Sequence, residues 1–203
     1  MAIGVYTFKV TGLKPILMNN PNSMNDDAGK KTRTKKVDPE EEARVRAYVN
    51  DEGSLYIPSI AFLNSLWEGA SYEKIGKDSA RARIASSIFV IDQETILYDQ
   101  NTNKPIDEYV IDSRYVVIKS TQGRIMRHRP KVDNWYCLLS LEVDTDYISV
   151  EDNIIPLFNK AGRVIGVLDY RPAKRGGFGR YEVELYKGNG NSSKSKITKR
   201  NKK

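Results

Sequence analysis

Residues 166–186, GVLDYRPAKRGGFGRYEVELY, hold the densest set of groups able to bind an anion. Arg171, Lys174 and Arg175 precede Gly176, Gly177 and Gly179, and Arg180 opens an alternating segment in which Tyr181, Val183 and Leu185 share one face. Glycine lets a backbone adopt positive φ and approach a ligand closely. Exposed N–H groups beside guanidinium groups can hold phosphate oxygens. Apolar residues at 164–168 predict a strand ahead of this loop. A glycine-rich basic loop between two strands points to a nucleic-acid backbone more than to a nucleotide. A solvated hairpin turn is the plainer alternative.

Two further basic blocks bear on the same chemistry. Arg114, Lys119, Arg124, Arg127, Arg129 and Lys131 have no acid between them, and Lys30, Lys31, Arg33, Lys35 and Lys36 crowd one polar stretch. In an extended strand Arg127 and Arg129 share a face, while Arg124 lies near the turn. The guanidinium fork suits phosphate. Trp135 and Tyr136 follow closely and can stack on a base, although Trp135 reads better as core. A charge-protected edge strand is the structural alternative for these arginines. Lys74, Lys77, Arg81 and Arg83 extend the basic surface. His128, the single histidine, is the one histidine candidate for general acid–base work, as cleavage of RNA by its own 2′-hydroxyl would need. Asp26 and Asp27 are weaker candidates to position a metal or that hydroxyl. Asp169 reads as a residue that orients Arg171 or Arg180.

Composition narrows the classes. The single cysteine, Cys137, excludes an intrachain disulfide and a cysteine-rich zinc site, and a single histidine excludes a histidine-based metal centre. No metal or other cofactor is expected. There is no apolar run of membrane-spanning length, and MAIGVYTFKV does not read as a signal peptide. A cytoplasmic, reducing setting follows. The formal net charge is +7. Residues 187–203 hold Lys187, Lys194, Lys196, Lys199, Arg200, Lys202 and Lys203 with no acid, which equals the whole excess. Clustered charge of this kind is the footprint of a polyanion-binding face.

The elements that must position these groups follow from periodicity. Tyr6, Phe8 and Val10 alternate with polar residues, as in a half-buried strand. Residues 19–36 form a long polar, basic loop. Asp38-Pro39-Glu40 reads as a helix start, with Val45, Tyr48 and Val49 as its apolar face. Asp51-Glu52-Gly53 is a turn, residues 54–57 a short strand, and Pro58-Ser59 opens a second helix through about Ala70 with Ile60, Leu63 and Trp67 as its stripe. Further strands are expected at 86–90, 95–98, 115–119, 125–128, 135–143 and 180–186, and a helix at 150–161. The order fits an α+β fold: a ferredoxin-like, RRM-type antiparallel sheet with helices on one face, elaborated by mobile loops. One domain over 1–186 and a disordered basic tail over 187–203 are expected. The aromatic signature of RRM sheets is absent from the sequence.

Several segments resemble a group of bacteriophage and prophage proteins: FKVTGLKPILMNNP, GSLYIPSIAFLNSLWEGASYEKIGK, RIMRHRPKVDNWYCLLSLEV and AGRVIGVLDYRPAKRGGFGRYEVE, in order over about residues 5–186. More distantly, the chain resembles the RAMP superfamily, RRM-fold proteins of CRISPR effector backbones and CRISPR RNA-processing nucleases. Ile57-Pro58-Ser59 looks like that group's proline turn, and Gly176–Gly179 like its glycine-rich loop. The turn lacks the glycine and lysine expected after its proline. The resemblance implies an RRM-like core and single-strand binding.

The leading expectation is therefore a phage or mobile-element protein that binds single-stranded DNA or RNA along its phosphates without strong sequence preference. It would act as a homo-oligomer or as a subunit of a larger nucleoprotein complex, away from membranes. The alternatives are a protein-binding component of a host or phage machine, and a RAMP-like endoribonuclease.

Overall fold

A computed structural model describes residues 3–21, 38–117 and 120–187. In chain order the strands are β1 (Ile3–Gly12), β2 (Ile16–Leu17), β3 (Tyr56–Pro58), β4 (Lys74–Ile75), β5 (Asp78–Ser79), β6 (Ile88–Val90), β7 (Glu94–Asp99), β8 (Val110–Val117), β9 (Arg124–Val132), β10 (Trp135–Asp144) and β11 (Tyr181–Leu185). The α-helices are α1 (Pro39–Arg46), α2 (Ser59–Gly69), α3 (Ala80–Ser87) and α4 (Ile155–Val164). A π-helical turn at Val150–Ile154 leads into α4.

The main sheet runs β11-β1-β10-β7-β3, with β6 also paired to β10, and every pairing is antiparallel. Taken as β1–α2–β7–β10–α4–β11, this is the strand order of a ferredoxin-like α+β fold. Helices α2 and α4 cover one face. Strand alternation delivers Phe8 and Val10 from β1, and Trp135, Cys137, Leu139, Leu141 and Val143 from β10, to the core beneath them. Phe8 meets Phe158 at 5.9 Å between centroids, and Phe62 meets Tyr181 edge-on at 5.6 Å. Gly69 has no room for a side chain: a Cβ there would stand 2.6 Å from that of Ala161, so glycine lets α2 and α4 close together.

A second sheet, β2-β9-β8, joins β2, which follows β1, to the β8–β9 hairpin inserted between β7 and β10, and carries α1. The long β8–β9 hairpin pairs Val110 with Lys131 through to Val117 with Arg124.

Several local expectations are corrected. Of the expected α2 stripe, Ile60 and Trp67 face outward, 49% and 39% exposed, and Leu63 is half-buried at the core's margin, while Phe62, Ser65, Leu66 and Gly69 are buried. Helix α1 ends at Arg46, and its buried residues are Glu42, Ala43 and Arg46; Val49 lies beyond it, exposed. Residues 164–168 are not a strand. Helix α4 ends there because the N–H groups of Ile165 and Gly166 both donate to Ala161 O, and Gly166 takes φ +73°. The glycine-rich segment thus connects a helix to β11. Helix α3, within the polar stretch 74–83 and beyond, was not expected.

Candidate nucleic-acid interface

The period of two in β9 puts Arg127 and Arg129 on one face and His128 on the other. Register adds Arg114, opposite Arg127, and Asp112, opposite Arg129. This inner face turns toward α1 and the glycine-rich segment. Glu42 of α1, with a side chain 5% exposed, accepts from Arg127 Nη1 at 2.9 Å, from Arg46 Nε at 3.3 Å and from the His128 backbone N–H at 3.2 Å. Arg46 Nη1 also donates to Asn19 Oδ1 at 2.8 Å. Asn19 lies just before residues 22–37, and Asp38, the first described residue after them, caps α1. The arginine face therefore lies beside the described residues that flank positions 22–37 in sequence, the stretch that holds Lys30, Lys31, Arg33, Lys35 and Lys36. Those five residues, with Asp26 and Asp27, lie outside the described residues, as do Lys119 and residues 188–203.

Arg129 is 8% exposed and faces Asp169, Nε to Oδ2, at 3.2 Å. Charge rather than hydrogen-bond alignment holds this pair, because Arg129 Nε, Arg129 Nη1 and Asp169 Oδ2 are buried without a hydrogen-bond partner. Asp169 thus serves neither Arg171 nor Arg180. Arg171 reaches Glu68 of α2 at 3.1 Å, and Arg180 Nε donates to Arg163 O at 3.1 Å. Arg129 is a packing residue that ties the hairpin to the segment after α4.

That segment is held by its own backbone. The N–H groups of Lys174 and Gly176 donate to Arg171 O, that of Arg175 to Pro172 O, that of Phe178 to Tyr170 O and that of Gly179 to Pro15 O. These amides are satisfied internally, so contact with phosphate here falls to side chains. The glycines serve the same closure. A Cβ on Gly176 would stand 1.6 Å from Tyr170 O, and one on Gly179, at φ +68°, 2.0 Å from Val167 O. Gly177 meets nothing within 4 Å. Lys174, Arg175 and Arg180 are exposed, as is Arg124 at the hairpin turn.

Hairpin and glycine-rich segment meet at Arg114. Its guanidinium is held by both carboxylate oxygens of Asp112, and that pairing keeps it charged beyond the ordinary arginine range. It lies 4.7 Å from the ring centroid of Phe178 and 5.2 Å from that of Tyr170. The two rings stand edge to face, 6.4 Å apart. The segments at 114–131 and 166–186 thus meet at Arg114 and Arg129.

No family model matches the chain, and no curated protein matches it. Among solved structures, the chain is similar to the one titled "Crystal structure of Cmr6 from Pyrococcus furiosus". The match is 11% identical, covers 90% of this chain and 99% of that one, and has a TM-score of 0.44. A likeness of that size fixes neither family nor function.

The open face of the main sheet is the rival surface. Tyr98 and Tyr136 stack there at 5.4 Å, with Lys9 over Tyr136. Glu142, Glu182 and Glu184 share that face by alternation, and Lys9 is paired with Glu184. Those carboxylates repel a polyanion. Trp135 is fully buried, its Nε1 donating to Lys14 O, so it belongs to the core. Sequence reasoning missed Glu42, Tyr170 and Phe178 as parts of the site. The paired aromatics in GVLDYRPAKRGGFGR were the available signal. No helix among the described residues is long and apolar enough to cross a membrane.

Proposed function

We propose that this protein binds single-stranded nucleic acid through its phosphates, with the strand lying where the β8–β9 hairpin meets the glycine-rich segment. The observation that carries the reading is the meeting of Arg114 with Tyr170 and Phe178, on the segment that bears the exposed Lys174 and Arg175. Arginines interleaved with aromatic rings suit a flexible strand, whose phosphates and unstacked bases are both accessible. Arg124, exposed at the hairpin turn, shares the outer face with Met126 and His128 by strand alternation and is not part of this surface. Phosphate contacts position a strand without reading it, so little sequence preference is expected.

Anisotropy titrations with single-stranded DNA, single-stranded RNA and duplex DNA over a range of salt test this. Affinity should fall steeply as salt rises. Replacing Lys174 and Arg175 by Ala should weaken all sequences alike and make the salt slope shallower by about one unit per lost contact. A protein silent toward every oligonucleotide at low salt would overturn the reading.

Protein docking is the second reading, and the hairpin's outer face favours it. Tyr115 is 65%, Val117 53% and Met126 39% exposed there. Such a face fits a subunit of a nucleoprotein assembly. Cleavage is less favoured: His128 shares a hydrogen bond with Ser113 on that outer face, away from Arg127.

A further inference from the structure

We infer that Tyr170 and Phe178 form a base-stacking platform that makes the interface selective for single strands over duplex. The inference rests on the phosphate-binding reading above and deepens it.

Three observations converge on these rings. First, the segment that carries them is held in an unusual backbone state. Leu168, Tyr170 and Arg175 all lie in the left-handed region, at φ +61°, +53° and +61°. A bulky aromatic residue is a rare occupant of that region, and such strain gathers where a side chain must be aimed. Second, the surrounding chain is shaped to hold that state. Gly176 leaves room for the Tyr170 carbonyl, which accepts the Phe178 N–H at 3.2 Å, so the two residues are locked together. Third, the rings are not sealed in the core. Both are half-buried, at right angles to one another, and meet a guanidinium whose plane Asp112 fixes. A half-exposed aromatic pair offers a base the ring surface that Arg114 leaves open, and with Arg114 neutralised by Asp112 the charge for the following phosphate comes from the exposed Lys174 and Arg175. Bases in a duplex are stacked on one another and cannot reach such rings. A strand with splayed bases can.

The test uses the full-length protein, a labelled single-stranded oligonucleotide, the same strand with abasic sites at its centre, and a duplex of equal length. Wild-type protein should bind the intact strand more tightly than the abasic one, by about 5- to 150-fold per base stacked. Tyr170→Leu with Phe178→Leu should lose that difference, bind intact and abasic strands alike, and keep the wild-type salt slope because no phosphate contact is removed. Tyr170→Phe should retain the preference, since the ring remains. Wild-type protein that binds abasic and intact strands equally would overturn the inference, whatever the fate of the variants, and leave phosphate binding standing. A folded double variant that still prefers the intact strand by the wild-type ratio would also overturn it. Absence of binding to any strand would overturn the phosphate reading and the platform with it.

Discussion

Glu42 holds two guanidinium groups and a backbone amide while almost wholly removed from water. Arg46, 7% exposed, has little solvent to fall back on. Removing one partner of such a network strands the remaining charges, a far larger loss than breaking a surface pair. Glu42→Ala should therefore destabilise the fold by roughly 3 kcal/mol, read as a lower urea midpoint. Glu42→Gln, which keeps an acceptor, should lose less. A Glu42→Ala protein as stable as wild type would mean that water already screens these arginines. Cys137 gives a second test at this scale. Burial pushes its thiol far above the usual range, so it stays protonated and out of reach of reagents. Alkylation at neutral pH should be undetectable in the native protein and complete in denaturant. Prompt native labelling would show that β10 opens locally.

The elements show which parts of the fold a sequence can display. The alternation of Tyr6, Phe8 and Val10 and the start at Asp38-Pro39 were legible because each is fixed by neighbours a few residues away. Asp38 indeed accepts from Glu40 N–H at 3.1 Å. The buried side of α2 was not legible, because SIAFLNSLWEG carries apolar residues on both sides and only α4 decides between them. The end of α4 was hidden for another reason: the run 164–168 is apolar enough for a strand, and the positive φ of Gly166 and Leu168 that breaks any strand there leaves no periodic signal. Of the site, the shared face of Arg127 and Arg129 was readable from the period of two. The partners Glu42 and Asp169 were not, being 85 and 40 positions away from those arginines. The three glycines looked alike in sequence, yet the structure separates them, and this difference can be measured. Gly179→Ala places a Cβ against Val167 O in a left-handed backbone, and should cost roughly 1–3 kcal/mol from the backbone strain alone. Gly177→Ala meets open space and should stay within about 0.5 kcal/mol of wild type. Equal thermal melts for the two variants would contradict this division.

For the whole molecule, the excess charge and the shaped surface belong to different parts of the sequence. The formal charge of +7 equals that of residues 187–203, whereas at the hairpin interface four arginines, Arg46, Arg114, Arg127 and Arg129, are offset by three carboxylates, Glu42, Asp112 and Asp169. Long-range attraction for a polyanion and discrimination between strands should therefore separate experimentally. Ending the chain after Lys187 removes Lys194, Lys196, Lys199, Arg200, Lys202 and Lys203. The core drawn from β1, β10, α2 and α4 closes without them, so cooperative melting should persist. Affinity for single strands and duplex should fall together, and the salt slope should become shallower, because fewer counterions are released. The ratio of single-strand to duplex affinity should stay at its wild-type value, since Arg114, Tyr170 and Phe178 remain. A truncated protein that melts normally but loses this ratio would place strand selection in the tail and remove it from the hairpin. Loss of cooperative melting would instead make residues 188–203 part of the folded core.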